Sequence, residues 1–328
     1  MKIVVYSETG LDYKYSNIFD GLDVECKIVT TIRFLKLAFR KKDVNKKYVY
    51  HIRYLRWKGF LLTLPMYCLI ILVCKLRRIP VLFTCHNLLE HRYPSKLYSV
   101  CVRNLVSWAA NDIVVLHSDL KKHLARFANK VHVACYGEYM SFFRQEHKPC
   151  PTFSQEYSNW LSSRSIKAPG LIFVGEYSAQ KRIDFLIRFL QNRREITALI
   201  VSPGCSFRSP TENIFLFRRA KVILELDPIM KMNGLVGYVA HTNISVPTAI
   251  NMYASYGIPI LGFNIDPICS LVKTYGMGEV FTSEKDMFDA FCQISNNYTI
   301  YQEGLKRFSL KNAWEVSRKV HKSILDSY

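Results

Sequence analysis

Short runs of apolar and β-branched residues alternate along the chain with longer amphipathic stretches, and this pattern predicts strands and helices in turn. In the first half we predict strands at residues 1–6, 23–30, 47–54, 80–84, 111–116 and 130–135. Helices are predicted at 59–78, over most of 87–110 and at 119–127, the last of these capped by Ser118. This alternation indicates a doubly wound parallel sheet.

The pattern breaks over residues 144–169, which contain Pro149, Pro151 and Pro169, although 153–161 could form a short helix. It resumes with strands at 171–174, 197–201, 213–217, 235–239 and 258–262, and with helices at 182–191, 248–255 and 310–326. The predicted fold class is therefore α/β, with two doubly wound, Rossmann-like domains at 1–150 and 169–310, a linker at 151–168 and a final helix at 311–328. Two such domains in tandem are expected to face a cleft at the carboxyl ends of their strands, where ligands usually bind.

The composition is that of a globular protein, with 49% hydrophobic and 22% charged residues. The 10 cysteines are scattered, mostly within apolar runs, and form neither a CxxC pair nor a Cys/His cluster with metal-site spacing. We therefore expect free thiols in a reducing compartment and no metal site. The start of the sequence has no signal-peptide pattern, which favours a cytoplasmic location.

The positive charge is concentrated in the first half. The net charge is +19, and residues 1–150 hold 25 Lys and Arg against 11 Asp and Glu, compared with 20 against 15 in the remainder. Such an excess is typical of proteins that meet polyanions, which here could be lipid headgroups, diphosphates or nucleic acid. A merely solvated basic face is the plain alternative, and no recognised nucleic-acid module supports the third partner.

One apolar segment, residues 59–74, needs comparison with a membrane span. It is shorter than the roughly 20 residues that a spanning helix needs, and Pro65 interrupts it. A helix packed in the core is the favoured interpretation. The flanking Trp57, Lys58 and Lys75 leave open that part of its surface lies in a bilayer interface.

The first chemical motif is the segment from Gly175 to Arg182, which directly follows a predicted strand and opens a helix. Gly175 permits a sharp turn at the strand end, and Lys181 lies beside a helix N-terminus that already favours anions. The motif suits a diphosphate, with Gly204, in the turn after the next strand, added to the same binding set. The alternative is an ordinary turn with exposed basic residues.

The second motif is a turn in which Ser245 and Thr248 bracket Pro247 at the start of the helix 248–255. Pro is preferred at a first helical position, and the arrangement leaves hydroxyls and backbone N–H groups free to hold phosphate or sugar oxygens. Asn251, one helical turn further on, joins this candidate donor-binding set. The alternative is a well-capped helix of the core.

Together these motifs resemble the nucleotide-sugar domain of bacterial GT-B glycosyltransferases that build surface polysaccharides such as capsule or O-antigen, with family-4-like features. The matching positions are Val174, Gly175 and Lys181 in the first motif and Ser245, Pro247, Tyr253, Gly257 and Pro259 in the second. Trp314 and the helix after it resemble the tail helix that crosses back onto the first domain in this family. The resemblance covers most of the chain in order, and in the first half it rests on the layout of elements.

The resemblance implies a hexosyltransferase with an acceptor-binding domain at 1–150 and a nucleotide-sugar-binding domain at 169–310. The donor would be a nucleotide-diphosphate sugar and the acceptor a lipid-linked oligosaccharide. Lys181, aided by Arg182, would stabilise the leaving diphosphate in place of a bound metal, so no cofactor is expected. The basic first domain would bind the anionic inner face of a membrane peripherally, and nucleic acid is not an expected partner.

The chain departs from the family pattern at three positions. Glu176 stands where a basic residue is usual, Ala249 where Lys is common, and Met252 where a glutamate commonly holds the ribose of the donor. The two-glutamate signature is therefore absent, and Asn251 is the nearest polar substitute. This absence motivates the alternative function, a non-catalytic GT-B scaffold subunit of a glycan assembly complex.

In the first half, the segment from Thr84 to Arg92 carries the sharpest group of polar residues and resembles a His-Asn-x-x-x-His stretch of related transferases. A sugar hydroxyl that attacks an anomeric carbon needs a nearby proton acceptor, for which we predict His86 or Glu90. Asn87 and His91 are predicted to orient the acceptor sugar. The alternative is a loop in which Glu90 and Arg92 pair with neighbours.

The sequence offers two further loops as candidates. Thr9 and Gly10 follow the first strand and are expected to face the same cleft. Tyr136 begins a stretch that aligns with a His-Gly-x-Tyr loop of the family, with Tyr in place of His.

Overall fold

The chain folds into two compact units. The computed structural model describes residues 2–8, 13–40, 45–89, 93, 95–138, 151–163, 170–202, 204–205, 207, 211–218, 226–242 and 245–328. Unit 1 holds Met1–Tyr136, Asn243–Val246 and Ala313–Tyr328, and unit 2 holds Gly137–Thr242 and Pro247–Asn312. Each unit is built on one six-stranded parallel sheet, which confirms the predicted α/β fold class.

The sheet of unit 1 is made of β1 (Lys2–Ser7), β2 (Val24–Ile28), β3 (Lys46–Ile52), β4 (Val81–Cys85), β5 (Asp112–Val115) and β6 (Val131–Val133). Its order is β2-β1-β3-β4-β5-β6. Every residue of β4 is buried, as expected of a strand that is covered on both faces. The direction of winding reverses between β1 and β3, so their carboxyl ends mark the usual ligand-binding edge of an open α/β sheet.

The helices that follow these strands are α1 (Tyr13–Phe19), α2 (Thr31–Ala38), α3 (Phe60–Leu76), α4 (Lys96–Ala109) and α5 (Ser118–Lys122). Helix α3 packs between α2 and α4. A 3-10 helix at Ala125–Lys130 leads into β6. The alternation of strand and helix places the loops with polar residues at the carboxyl ends of the strands.

The sheet of unit 2 is made of β7 (Leu171–Val174), β8 (Ala198–Val201), β9 (Ile214–Phe217), β10 (Val236–Val239), β11 (Ile260–Phe263) and β12 (Gly278–Phe281). Its order is β12-β11-β10-β7-β8-β9, so the winding reverses between β7 and β10. Both strands are completely buried and consist mainly of β-branched and aromatic residues. The two motifs singled out in the sequence follow these two strands.

The helices of unit 2 are α6 (Pro151–Ser163), α7 (Ile183–Asn192), α8 (Asp227–Met230), α9 (Thr248–Ser255), α10 (Ile268–Tyr275), α11 (Glu284–Asn296) and α12 (Tyr298–Lys311). The last helix, α13 (Trp314–Ser327), belongs to unit 1 and packs against α1. Its place in unit 1 confirms the predicted return of the final helix to the first domain.

Several elements escape the sequence prediction. Helices α1, α2 and α10–α12 and strand β12 are absent from it, and α6 lies within the segment predicted as a linker. The predicted helix 119–127 is split into α5 and the 3-10 helix. The residue that caps α5 is His117, whose side chain accepts a hydrogen bond from the Asp119 N–H, and not Ser118 as predicted.

The prediction that the apolar helix around residues 59–78 is a core helix is only half right. One face of α3 is buried, with Tyr67, Ile70 and Cys74 on it, but the other face exposes Leu61, Leu72 and further apolar side chains. Within the described residues, no helix is long and apolar enough to cross a bilayer.

Candidate functional site

In unit 2 the segments that follow the two central strands lie side by side. The Gly175 loop (residues 175–182) follows β7, and residues 240–242 follow β10, the strand next to β7 in the sheet. The Thr242 N–H donates a hydrogen bond of 2.8 Å to the Gln180 carbonyl and so ties the two segments together. The place where the winding reverses therefore carries the first motif and the start of the segment that leads to the second, and binding sites of open α/β sheets lie at such places.

Lys181 lies folded over the start of its own loop. A Cβ built on Gly175 would lie 3.0 Å from the Lys181 Nζ, and this nitrogen donates a hydrogen bond of 3.0 Å to the Glu176 carbonyl. Burial lowers the pKa of the Lys181 ammonium, and the Glu176 carboxylate opposes that shift. The loop thus presents a partly desolvated cation that would gain stabilisation from an anion.

Arg182 joins the loop to α7 in a left-handed backbone conformation, with φ 49° and ψ 39°. A residue other than Gly pays roughly 1 kcal/mol or more for this conformation, and such strain concentrates at functional sites. Its guanidinium lies 4.1 Å from the ring centroid of Phe263 and 4.7 Å from that of Phe185. Its carbonyl accepts a hydrogen bond of 3.1 Å from the Tyr238 hydroxyl, so both backbone and side chain are fixed.

Tyr253 of α9 packs against both central strands near their carboxyl ends. Pairing between β7 and β10 ends at Ile172 and Gly237. Beyond that point the Tyr253 hydroxyl accepts a bond from the Val174 N–H and donates one to the Ile172 carbonyl, at 3.3 and 3.0 Å. Gly237 makes room for the ring, because a Cβ there would lie 2.5 Å from it. The tyrosine that the sequence motif contains thus has a structural task in shaping the site.

The remaining donor-side candidates differ in how accessible they are. Helix α9 begins at Thr248, which is half-buried. The sequence predicts Pro247 at the first helical position, but Pro247 is the residue before the helix. Asn251 is buried, and its Nδ2 lies 3.5 Å from the Gly137 carbonyl oxygen. Gly204 is exposed after β8, with φ +78° and open space around it.

In unit 1 the predicted acceptor residue Asn87 lies beside Ser245. The two residues form an isolated antiparallel bridge, and Ser245 is buried. Ser245 was assigned to the donor set from the sequence, and the structure brings it together with the segment that follows β4. Thr9, Gly10, Glu90 and His91 lie outside the described residues.

His86 lies at the end of β4 and is buried, with 7% of its surface exposed. Its ring stacks on Tyr54 with centroids 4.3 Å apart, and the Tyr136 hydroxyl oxygen lies 3.0 Å from its ring nitrogens. Burial, and secondarily the charges of Lys14 and Arg53, hold the pKa of His86 well below its ordinary value. The imidazole is therefore neutral near pH 7, with a lone pair on one of its ring nitrogens.

Arg53 is a further residue at this edge of the sheet that the sequence pattern did not single out. It follows β3 directly, and only 2% of its surface is exposed. The guanidinium lies 4.4 Å from the ring centroid of Tyr15 and 5.4 Å from that of Tyr54. A signal was available, since Arg53 stands at the carboxyl end of a predicted strand at the point where the winding reverses.

A buried polar chain continues from this residue into the sheet. The His51 Nδ1 lies 2.9 Å from the Tyr15 hydroxyl, and its Nε2 lies 2.8 Å from the Thr84 hydroxyl. Burial and the charge of Arg53 hold the pKa of His51 well below its ordinary value too. The carboxyl edge of the unit 1 sheet thus combines neutral imidazoles with a fixed cation.

Comparison with known proteins finds likeness at the level of structure. No protein-family model and no curated protein matches the chain. The structure of HepE from Anabaena in complex with UDP aligns over 100% of both chains with a TM-score of 0.68 at 12% identity, and its complex with UDP-glucose gives the same TM-score at 11%. A glycosyltransferase from Rickettsia africae aligns over 99% of this chain and 90% of its own at 15% identity with a TM-score of 0.65. WaaG, a glycosyltransferase involved in lipopolysaccharide biosynthesis, aligns over 98% of both chains at 10% identity with a TM-score of 0.57. The chain therefore has the GT-B fold that these solved glycosyltransferase structures share.

Proposed function

We propose that the chain is a glycosyltransferase that moves a hexose from a nucleotide-diphosphate sugar to an oligosaccharide acceptor carried on a lipid. The observation that carries this proposal is the pair of loops after β7 and β10, tied by the Gln180–Thr242 hydrogen bond, with the Lys181 ammonium over Gly175. HepE, which shares the fold, binds UDP and UDP-glucose in its solved complexes. A diphosphate is the anion that suits such a loop.

In the proposed reaction the bond between the anomeric carbon and the diphosphate breaks, and a glycosidic bond forms to an acceptor hydroxyl. The nucleoside diphosphate leaves with its negative charge stabilised by Lys181 and the N-terminus of α7. The hydroxyl proton passes to a base, for which the neutral imidazole of His86 is the described candidate. In this proposal Lys181 assists the departure of the diphosphate, and His86 activates the acceptor hydroxyl.

Likeness to WaaG supports a role in surface polysaccharide synthesis, because that protein serves lipopolysaccharide biosynthesis. An acceptor of that class is anchored in a membrane, so we propose that the chain works peripherally at the inner membrane face. The excess of positive charge in residues 1–150 supports this placement.

Calorimetry with UDP-glucose and related nucleotide sugars tests the proposal. Lys181→Ala should weaken donor binding and reduce transfer severely, since it removes the cation that faces the diphosphate. Lys306→Ala is the matched control, because Lys306 is exposed on α12 of the same unit. Unchanged transfer in the Lys181 variant would remove this residue from the mechanism.

The second candidate is a non-catalytic scaffold subunit of a glycan assembly complex. It is favoured by Met252, which stands where relatives commonly have a glutamate and is itself buried. The amide of Asn251 faces the Gly137 carbonyl and is not a replacement for that carboxylate. A wild-type chain that binds none of the nucleotide sugars in calorimetry would favour the scaffold over the enzyme.

A further inference from the structure

Helix α3 presents an apolar face to solvent along its whole length. Leu61 is 87% exposed, and Leu62, Leu69, Leu72 and Leu76 continue the same face at helical spacing. The first charged residue of the helix is Lys75, in its last turn. The outward face of a helix that covers a sheet is normally polar, so an exposed apolar face of this kind indicates an interaction site.

The apolar surface extends onto both neighbouring helices. On α4, Leu97 is 74% exposed and Trp108 is 59% exposed. Ile32 on α2 and Phe39, directly after α2, are exposed as well. Helices α3 and α4 run side by side in the same direction. At one end the Tyr98 hydroxyl donates to the Phe60 carbonyl at 2.9 Å, and at the other the Lys75 Nζ lies 3.9 Å from the Trp108 ring centroid. We call the outward surface of α2, α3 and α4 the α2–α4 face.

The charges around this face have one sign. Residues 44–89 and 91–111 contain no Asp or Glu, and neither does α2. Exposed basic residues border the face at Arg33, Lys36, Arg40, Lys58, Lys75, Arg78 and Lys96. The surface of α13, by contrast, mixes the exposed acids Glu315 and Asp326 with basic residues. Two copies of the α2–α4 face would repel each other, whereas an anionic surface would attract it.

The ends of the helices add the features that an interface between water and lipid favours. Near the N-termini of α3 and α4, Trp57 packs edge-to-face against Phe60, Tyr93 and Tyr98, with centroids 5.0 to 5.6 Å apart. Aromatic rings of this kind collect at the headgroup level of membranes. At the other end of α3, a cavity of about 320 Å³ is lined by Lys75 and Arg78 together with apolar residues. It offers two cations to a headgroup phosphate.

We propose that the α2–α4 face docks on a bilayer that contains anionic phospholipids. The leucines of α3 enter the boundary of the acyl chains, and the basic residues around them contact the lipid phosphates. This assignment rests on the membrane location in the proposed function and names the surface responsible for it. It replaces a purely electrostatic attachment by one that combines apolar insertion with charge.

Co-sedimentation with vesicles tests the apolar part. Partitioning of the wild-type chain onto vesicles of phosphatidylcholine mixed with phosphatidylglycerol is compared with that of L61Q/L72Q/L76Q. We expect the triple variant to bind about a hundredfold more weakly, because three leucines no longer enter the apolar boundary. The control is I300Q/L310Q on α12, whose residues are exposed to a similar degree. Because all five side chains are exposed, the variants should fold as the wild type does.

A second pair of variants tests the charged part. K75Q/R78N removes both cations of the cavity, and Asn suits the left-handed backbone of Arg78, whose φ is 50°. We expect binding to weaken about thirtyfold on phosphatidylglycerol vesicles at low salt. On pure phosphatidylcholine it should change little. K306Q/K311Q on α12 changes the net charge equally and should bind as the wild type does.

Wild-type binding by the triple leucine variant would overturn the proposal. So would a dimer, seen by ultracentrifugation, that the triple variant abolishes while vesicle binding persists, since the face would then receive a second copy. Donor calorimetry keeps the two proposals apart. Loss of vesicle binding with normal donor binding in the leucine variant supports the docking face. A wild-type chain that binds vesicles but no nucleotide sugar would contradict the transferase proposal and leave the docking face standing.

Discussion

Replacing Tyr253 by Phe tests how the donor site is shaped. The ring of Tyr253 is completely buried, and its hydroxyl bonds the Val174 N–H and the Ile172 carbonyl beyond the end of the β7–β10 pairing. Tyr253→Phe keeps the ring and removes only the hydroxyl. Two backbone groups then lose their partner in a place that water does not reach.

The size of the effect follows from those two groups. A buried donor or acceptor without a partner costs about 1–3 kcal/mol, and partial closure of the strands should recover some of this. We expect the free energy of unfolding to fall by about 3 kcal/mol, which lowers the Tm by about 8 °C for a unit of this size. Urea denaturation followed by circular dichroism gives the first quantity and calorimetry the second.

Tyr256→Phe is the matched control on the same segment. The Tyr256 hydroxyl donates to the Asp227 carboxylate at 2.8 Å in a partly exposed position, so water can replace it. Its loss should cost under about 1 kcal/mol. Equal stability of the two variants would refute the idea that the Tyr253 hydroxyl is the needed partner of these two β7 backbone groups.

Three further predictions concern the two units separately. Burial, helped by Arg53, lowers the pKa of His321 in α13 to about 4, so the unfolded chain takes up a proton near pH 6.5 before the folded chain does. The contribution of the neutral His321 to the free energy of unfolding is therefore fully present above pH 6.5. We expect the free energy of unfolding, measured by urea titration, to fall by about 3 kcal/mol as the pH drops to 4. His321→Gln should not show this loss. Arg182→Gly keeps the left-handed backbone and removes the guanidinium, so UDP-sugar affinity measured by calorimetry should fall about tenfold with little change in stability. Arg193→Ala, which removes a cation 4.0 Å from the Phe288 ring centroid, should bind donor normally. His86→Ala should reduce kcat about a thousandfold, and the acid limb of the wild-type profile should lie below the ordinary His pKa; an acid limb at or above that value would argue against His86 as the base.

The bounds of an element were predicted correctly from the sequence where clear local signals mark its start or its end. Helix α9 occupies the predicted residues 248–255, and β7 the predicted residues 171–174. Both are framed by unambiguous signals, a proline before the helix and a glycine after the strand. The two motifs could therefore be placed at strand-to-helix turns of one sheet, whereas the adjacency of their strands came from the structure.

What the sequence could not give depended on packing between distant residues. The bond from Thr242 to Gln180 joins segments about 60 residues apart, and no local pattern announces it. The sequence could not show which side of α3 is exposed, because an apolar run carries no period that distinguishes an inward from an outward side. Helices α11 and α12 were missed, although Ser283 caps α11 in the ordinary way, its hydroxyl oxygen accepting a hydrogen bond from the Asp286 N–H.

The two units use the same sheet plan in opposite ways at the place where the winding reverses. In unit 2 the pairing of β7 with β10 ends at Ile172 and Gly237, where Tyr253 contacts both strands. The short Gly175 loop follows β7, and the Lys181 ammonium lies beside it. In unit 1 the pairing of β1 with β3 runs the full length, from Lys2 with Lys46 to Ser7 with His51. The space beyond is filled by Arg53 and the aromatic rings stacked on it. Backbone N–H groups and cations bind diphosphates, so under the proposed function we assign the donor to unit 2 and the neutral imidazole of unit 1 to the acceptor.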